Sequence, residues 1–316
     1  MARLALRKFL MLVPVVLVVS ILTFLLLNLL PGNPVFMILG PGATPKGVAQ
    51  LTNQLHLNKP IYVRYVDWLW AALHGNFGQS YLNHEPASTL IHQALPVTIE
   101  LLVISQIIAL VIAIPLGVYA ARRPGGWIDQ GSSAFSFGML AIPAFLLGVL
   151  LVGVFAVHWH LFPATGYTHL TANLGRNVQS LFLPALTLAL GSLAAYVRLL
   201  RSDMIATLQQ DFVTVARSKG LSSRYILWHH AFRPSTFSLV TLAGLNVGSL
   251  IGGAFIVEII FGIPGIGSLT LHSIYQRDYL VVQACVLIIA VGYVFVNFVV
   301  DLLYPLLDPR VRRVVA

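Results

Sequence analysis

Six nearly unbroken apolar runs divide the chain: Phe9–Leu30, Val97–Ala121, Gly131–Val157, Leu181–Leu200, Thr236–Phe261 and Val281–Pro305. Each holds the roughly 20 residues that a helix needs to cross a hydrocarbon core about 30 Å thick. None shows the alternating ten-residue pattern of a barrel strand, so the runs predict membrane-spanning helices. Pro143, in "GMLAIPAFLLG", falls inside the third run and predicts a kink there, because it removes a backbone donor. Gly244, Gly248 and Gly252 recur every four residues in the fifth, a spacing that lets helix backbones approach closely. Tight packing within the bundle and a pore or subunit contact both fit that stripe.

The polar intervals are unequal. Residues 31–95 open with "PGNPVFMILGPGATPKG", which reads as loop, and continue with "YVRYVDWLWAAL". There Tyr62, Tyr65, Trp68, Leu69 and Ala72 recur at helical spacing, predicting a helix in the membrane interface. Between the fourth and fifth runs lies "DFVTVARSKGLSSRYILWHHAFRP", residues 211 to 234. It predicts two short helices. In the first, Phe212, Val215 and Ala216 share a face. Lys219-Gly220 ends it with a left-handed residue, and Leu221 then packs back onto Ala216. Ser222 caps the second helix, whose Tyr225, Trp228 and Phe232 share a face, and Pro234 predicts a break before the fifth run. An apolar face with a basic rim asks for a partner protein; the alternative is that it lies along the membrane surface.

Composition removes the soluble classes: 58% of the 316 residues are hydrophobic and only 9% charged, against about 25% in a soluble domain. The net charge of +9 sits in short runs beside the apolar spans, which favours a topology signal over nucleic-acid binding. Lys and Arg number three at the N-terminus, two in 122–130, six in 198–233 and three at the C-terminus, fourteen on one side. The opposite side has five: Lys46, Lys59, Arg64, Arg176 and Arg277. Positive charge marks the cytoplasmic side, so both termini and the 211–234 insert are expected there. The first run is too long for a secretory signal and no A-x-A-like site follows it, which predicts a retained anchor. Cys285 is the one cysteine and leaves the redox compartment open.

Catalytic groupings are missing from the pattern. Glu100, Glu258 and Asp301 lie near span ends and in separate segments. There is no H-E-x-x-H, no G-x-S-x-G and no phosphate-binding loop of the Walker type. His158, His160 and His169 cluster near one membrane surface, where they fit either metal ligands or an amphipathic anchor beside Trp159. His229 and His230 read as surface contacts within the insert. The span interiors offer Ser105, Gln106, Asn246 and Ser249 but no fixed charge. This disfavours both an intramembrane enzyme and an ion-coupled transporter, the latter usually carrying ionisable groups at midplane.

The insert resembles the cytoplasmic E-A-A-x-x-x-G loop of ABC-transporter permeases, with Thr214-Val215-Ala216 and Gly220 at its positions. "LPGNP", "LHLNKPIYVRYVDWL", "GNFGQS", "LPVTIELL", "VEIIFGIPGIGSLTLHSIYQRDYLVVQACVL" and "YVFVNFVVDLLYPLLDPR" extend the likeness to the dipeptide/oligopeptide permease family over essentially the whole chain. Thr214 stands where the signature is acidic, Val215 where it has its first alanine, and the proline of the downstream Leu-Pro falls at Pro234. The resemblance implies an all-α, six-span type I ABC importer permease moving short peptides, with nickel or another small solute as the alternative cargo. It implies residues 1–30 as tail and first helix, 31–95 as extracytoplasmic segment, 96–305 as a five-helix core with a coupling loop at 202–235, and 306–316 as tail. It further implies a homologous second permease, two cytoplasmic ATPases that bind ATP-Mg, and an extracytoplasmic binding protein, with no cofactor on this chain. Asp211, Phe212, Thr214, Ala216, Lys219, Gly220, Leu221, Tyr225, Trp228, His230 and Phe232 would form the contact with the ATPase.

Overall fold

A computed structural model describes residues 2–29, 43–54 and 58–307, together with Val35 and Leu39. Most of the loop that opens the 31–95 segment, and the tail beyond Leu307, lie outside the described residues. The helices are α1 (Ala2–Leu29), α2 (Pro45–Gln54), α3 (Ile61–Leu73), α4 (Ala87–Arg122), α5 (Trp127–Ala141), α6 (Ala144–His158), α7 (Leu174–Leu208), α8 (Asp211–Ser218), α9 (Ser223–Phe261), α10 (Ile266–Tyr275) and α11 (Tyr279–Leu307). One isolated antiparallel bridge, Gln79 to Pro86, is the only β pairing among the described residues.

Each predicted apolar run falls, among the described residues, inside a helix or helix pair. Among the described residues, α4, α7, α9 and the Tyr279–Val300 part of α11 are long and apolar enough to span, and α5 with α6 makes a bent fifth. The described apolar part of α1 is Leu10–Leu25. Helix ends follow capping chemistry more than hydropathy. α4 starts at Ala87, ten residues before the apolar run, where the Pro86 carbonyl accepts from the amides of Thr89 and Leu90. α7 starts at Leu174 because Asn173 Oδ1 accepts the Arg176 amide at 3.0 Å.

The expected kink at Pro143 is instead a break: α5 and α6 meet at 105°. A proline pushes its predecessor out of the helical region. Ile142 is accordingly extended, at φ −93° and ψ 125°, which ends α5 at Ala141 and restarts the helix after Pro143. The last seven residues of α6, Val152–His158, are wound as π-helix.

The chain forms two compact units. The first combines residues 1–97 with 264–294. Within it, α3 packs on α1: Phe24 meets Tyr65 edge-on at 5.5 Å, and the Tyr65 hydroxyl lies 2.8 Å from Ser20 Oγ. A small core of Ala87, Ile91, Ala94, Ile266, Val281 and Cys285 joins the beginnings of α4 and α11 to α10. Ser80 Oγ donates to Asp278, and burial followed by the Asp278 charge pushes the Tyr81 phenol up to about 12.

The second unit combines residues 98–263 with 295–316, and α7 is its centre. Small residues on one edge of α4, Ala109 and Ala113, face the larger Leu193, Tyr196 and Leu200 of α7 in the main core. A Cβ at Gly117 would stand only 3.0 Å from Leu200, so glycine there sets how closely the two helices approach. The Tyr196 hydroxyl donates to Gln106 Oε1 at 2.8 Å, and Ser105 Oγ to its own helix at Leu102. Ser105 and Gln106 are thus buried packing elements, not exposed walls. The glycine stripe of α9 divides. A Cβ at Gly244 would collide with Val300, Gly248 is buried, and Gly252 faces open space.

Candidate functional site

Residues 211–234 begin with α8, whose first turn carries Asp211. A carboxylate there suits the positive end of the helix dipole. The predicted C-terminal cap has its backbone pattern: Gly220 has φ +79°, the Leu221 amide donates to the Ala216 carbonyl at 3.3 Å, and the Gly220 amide donates to the Arg217 carbonyl at 2.9 Å. The Leu221 side chain, however, is exposed and does not join the core that holds Ala216. The Ser222 hydroxyl accepts the Tyr225 amide at 3.3 Å and starts the next helix, as expected.

The faces differ from the sequence reading. Val213 and Ala216, not Phe212 and Val215, turn inward, forming a small core with Ile226 and Leu208. Phe212 and Val215 are exposed, at 46% and 53%. Helical spacing alone gave two faces of nearly equal apolarity, and the one that closes on Ile226 wins because it completes a core. The exposed set is continued by Leu221 and Tyr225, with Thr214, Arg217, Lys219 and Arg224 also exposed around it.

The second predicted helix is not separate. Ser223–Phe261 runs as one 39-residue helix, and Pro234 does not break it. Within it, Ile226–Ala231 adopt π geometry, ending three residues before Pro234. A proline in a helix loses its own bond and crowds the carbonyl four residues back, here that of His230. The wider i→i+5 turn relieves that crowding. It also explains a second correction. Tyr225, Trp228 and Phe232 do not share a face: Tyr225 is exposed and stacks on His229 at 4.2 Å, whereas Trp228 and Phe232 pack edge-on at 5.4 Å against the main core. Bonds of i→i+5 put more residues in each turn and rotate the later side chains away from Tyr225. His230 is half-buried, 5.6 Å from the Tyr225 ring and 6.5 Å from Phe212, which ties α8 to the start of α9.

Two ionic features escaped the sequence pattern. Asp129, 3% exposed at the start of α5, accepts two donors of Arg201 on α7, with Arg201 Nη2 to Oδ2 at 2.8 Å, and also the Gly125 amide at 2.8 Å. Glu258, fully buried near the far end of α9, accepts from Thr98 Oγ1 at 2.6 Å. Glu258 was legible only as a span-end acid and Asp129 was not singled out at all; their partners stand 160 and 72 positions away in sequence.

At that far end, the Gly166 amide donates to the Phe261 carbonyl at 2.8 Å, and Tyr167 donates to Glu100 at 2.7 Å. Burial, then the Glu100 carboxylate, push the Tyr167 phenol up to about 12. Of His158, His160 and His169, His169 lies 5.0 Å from the Tyr167 ring, and His160 adopts φ +53°. No group of three His, Cys, Asp or Glu comes together among the described residues.

Residues 211–234 thus present a capped helix with an exposed apolar face, followed directly by a spanning helix. Family models agree with the architecture. Residues 113–313 match the binding-protein-dependent transport system inner membrane component, and residues 1–102 match the N-terminal model of the same membrane component. The chain belongs to this permease family. It is 38% identical over 315 residues to the oligopeptide transport system permease protein AppB of Bacillus subtilis, covering 99% of this chain and 100% of that one. It is 36% identical over 310 residues to the nickel import system permease protein NikB of Staphylococcus aureus, covering 97% and 91%. Among solved structures, an inward-facing conformation of the MetNI methionine ABC transporter aligns with TM-score 0.57 at 17% identity, over 69% of this chain and 96% of that chain. The fold is that of a type I ABC importer permease.

Proposed function

We propose that this permease moves short peptides across the cytoplasmic membrane as one half of the translocation pathway of an ATP-driven importer. A homologous permease forms the other half, two cytoplasmic ATPases bind and hydrolyse ATP-Mg, and an extracytoplasmic protein delivers the cargo. The carrying observation is the exposed set of Phe212 and Val215 on the capped α8, Leu221 in the turn that follows, and Tyr225 at the start of α9 just ahead of its π turn. Closure of the ATPases moves this face, and the bundle exchanges inward for outward access. The chain's work is differential contact between two states, with no covalent step.

The peptide assignment is supported by the likeness to AppB along the whole chain. The likeness to NikB supports nickel as a second reading. A strain lacking this gene, auxotrophic for one amino acid, separates them. It is expected to fail on that amino acid supplied as a di- or tripeptide, to grow on the free amino acid, and to accumulate nickel normally. Lost nickel accumulation with intact peptide use would overturn the peptide reading and leave the transporter class standing.

A further inference from the structure

A second feature lies at the end of the bundle that carries α8. α7 is 35 residues long, about 52 Å at 1.5 Å per residue, well beyond the ~30 Å hydrocarbon core. Its apolar run ends at Leu200, so Arg198 and Arg201 stand where hydrocarbon gives way to headgroups. Here a pocket of about 450 Å³ opens between α5, α7 and α9. Leu140, Leu199 and Leu242 form its apolar floor; Arg198, Arg201 and Ser202 form its polar wall.

The charges do not cancel. Arg201 is committed to Asp129, while Arg198 is exposed and, among the described residues, pairs with no carboxylate. Its guanidinium lies 6.0 Å from the Phe137 ring centroid. The cluster therefore holds one net positive charge. Phe137 and Leu140 beside it are 63% and 48% exposed. A lone cation next to exposed hydrocarbon, at headgroup depth, matches an anionic amphiphile. A passing peptide carboxylate would match the charge but leave the apolar rim uncovered.

We infer that this pocket binds the phosphate headgroup of an anionic phospholipid of the cytoplasmic leaflet, with Arg198 as the ligating cation and an acyl chain lying along Phe137 and Leu140. The inference takes its leaflet from the orientation proposed above. The lipid then fills the cleft between α5 and α9 beside α7.

The test uses the full chain purified with its co-expressed partners, stripped of lipid in detergent and titrated with phosphatidylglycerol under native mass spectrometry. One basic residue near a membrane surface contributes ~1 kcal/mol, so Arg198→Gln is expected to weaken retention about fivefold. Arg198→Lys restores most of it, and Arg176→Gln, in the outer loop, changes nothing. Phosphatidylcholine binds the unaltered and Arg198→Gln proteins alike. Equal phosphatidylglycerol retention by the unaltered and Arg198→Gln proteins overturns the inference. Displacement by glycerol 3-phosphate at equal concentration would make it a free-phosphate site, and displacement by a tripeptide a cargo site; either result overturns the lipid assignment. Labelling of Ser222 from outside would instead overturn the orientation on which the leaflet depends, so the two failures are told apart.

Discussion

At the scale of the residue, the clearest predictions concern glycines with different reasons for being glycine. Gly220 has open space around it but φ +79°, so its cost on substitution is purely a backbone one. That cost is roughly 1 kcal/mol or more for an ordinary side chain, largest for a β-branched one and smallest for Asn. Gly220→Val is expected to insert normally yet lower peptide uptake and substrate-stimulated ATP hydrolysis together, while Gly220→Asn stays near the unaltered protein. Normal uptake by Gly220→Val would remove the cap from any coupling role. Gly244 and Gly252 form the opposite kind of pair. Gly244→Ala pushes a methyl into Val300 and should cost about 1–3 kcal/mol, read as a lower thermal midpoint. Gly252→Ala meets nothing within 4 Å and should leave the midpoint unchanged. Sequence spacing had placed these residues on one stripe and could not separate them, because the neighbour that decides, Val300, is distant along the chain.

At the scale of the element, local chemistry was legible and its tertiary use was not. The Gly220 cap, the Ser222 cap and the interruption at Pro143 follow from residue type and position, and all are present. What failed was the choice of face in α8 and the independence of the second helix of the 211–234 insert. Both depend on which apolar side meets Leu208 and Ile226, and on a π turn that no period of 3.6 anticipates. The Asp129–Arg201 pair belongs to the same class, since its partners are 72 residues apart. Asp129 is buried while the Arg201 side chain is 28% exposed, so Arg201→Met strands a carboxylate inside the bundle. Breaking such a pair costs on the order of 3–5 kcal/mol, whereas replacing both members by apolar residues is often close to neutral. Arg201→Met alone is therefore expected to unfold at a clearly lower temperature than the Asp129→Leu/Arg201→Met double variant. Additive losses in the double-mutant cycle would show that the two side chains act independently.

For the whole molecule, the excess of Lys and Arg on one side predicts the orientation. Single cysteines at Asn76 and Ser222, in a chain with Cys285 replaced, are expected to react from opposite sides of the membrane. Equal reaction from outside at both would reverse the assignment of the 211–234 element. If Ser222 reacts from inside as expected, the unbroken run of α9 acquires a mechanical meaning. Its 39 residues form a rod about 58 Å long. Its near end carries the exposed Tyr225, and its far end, Phe261, accepts the hydrogen bond that fixes Gly166. A stiff lever of that length turns a tilt of about 5° at one end into about 5 Å of travel at the other. The π turn at Ile226–Ala231 sits where the handle meets the shaft, the one stretch of that rod not wound with α-helical bonds. On the coupling proposed above, force applied at Tyr225 would reach Gly166 only as far as that joint resists bending, so the stiffness of six residues would set how faithfully a stroke is delivered.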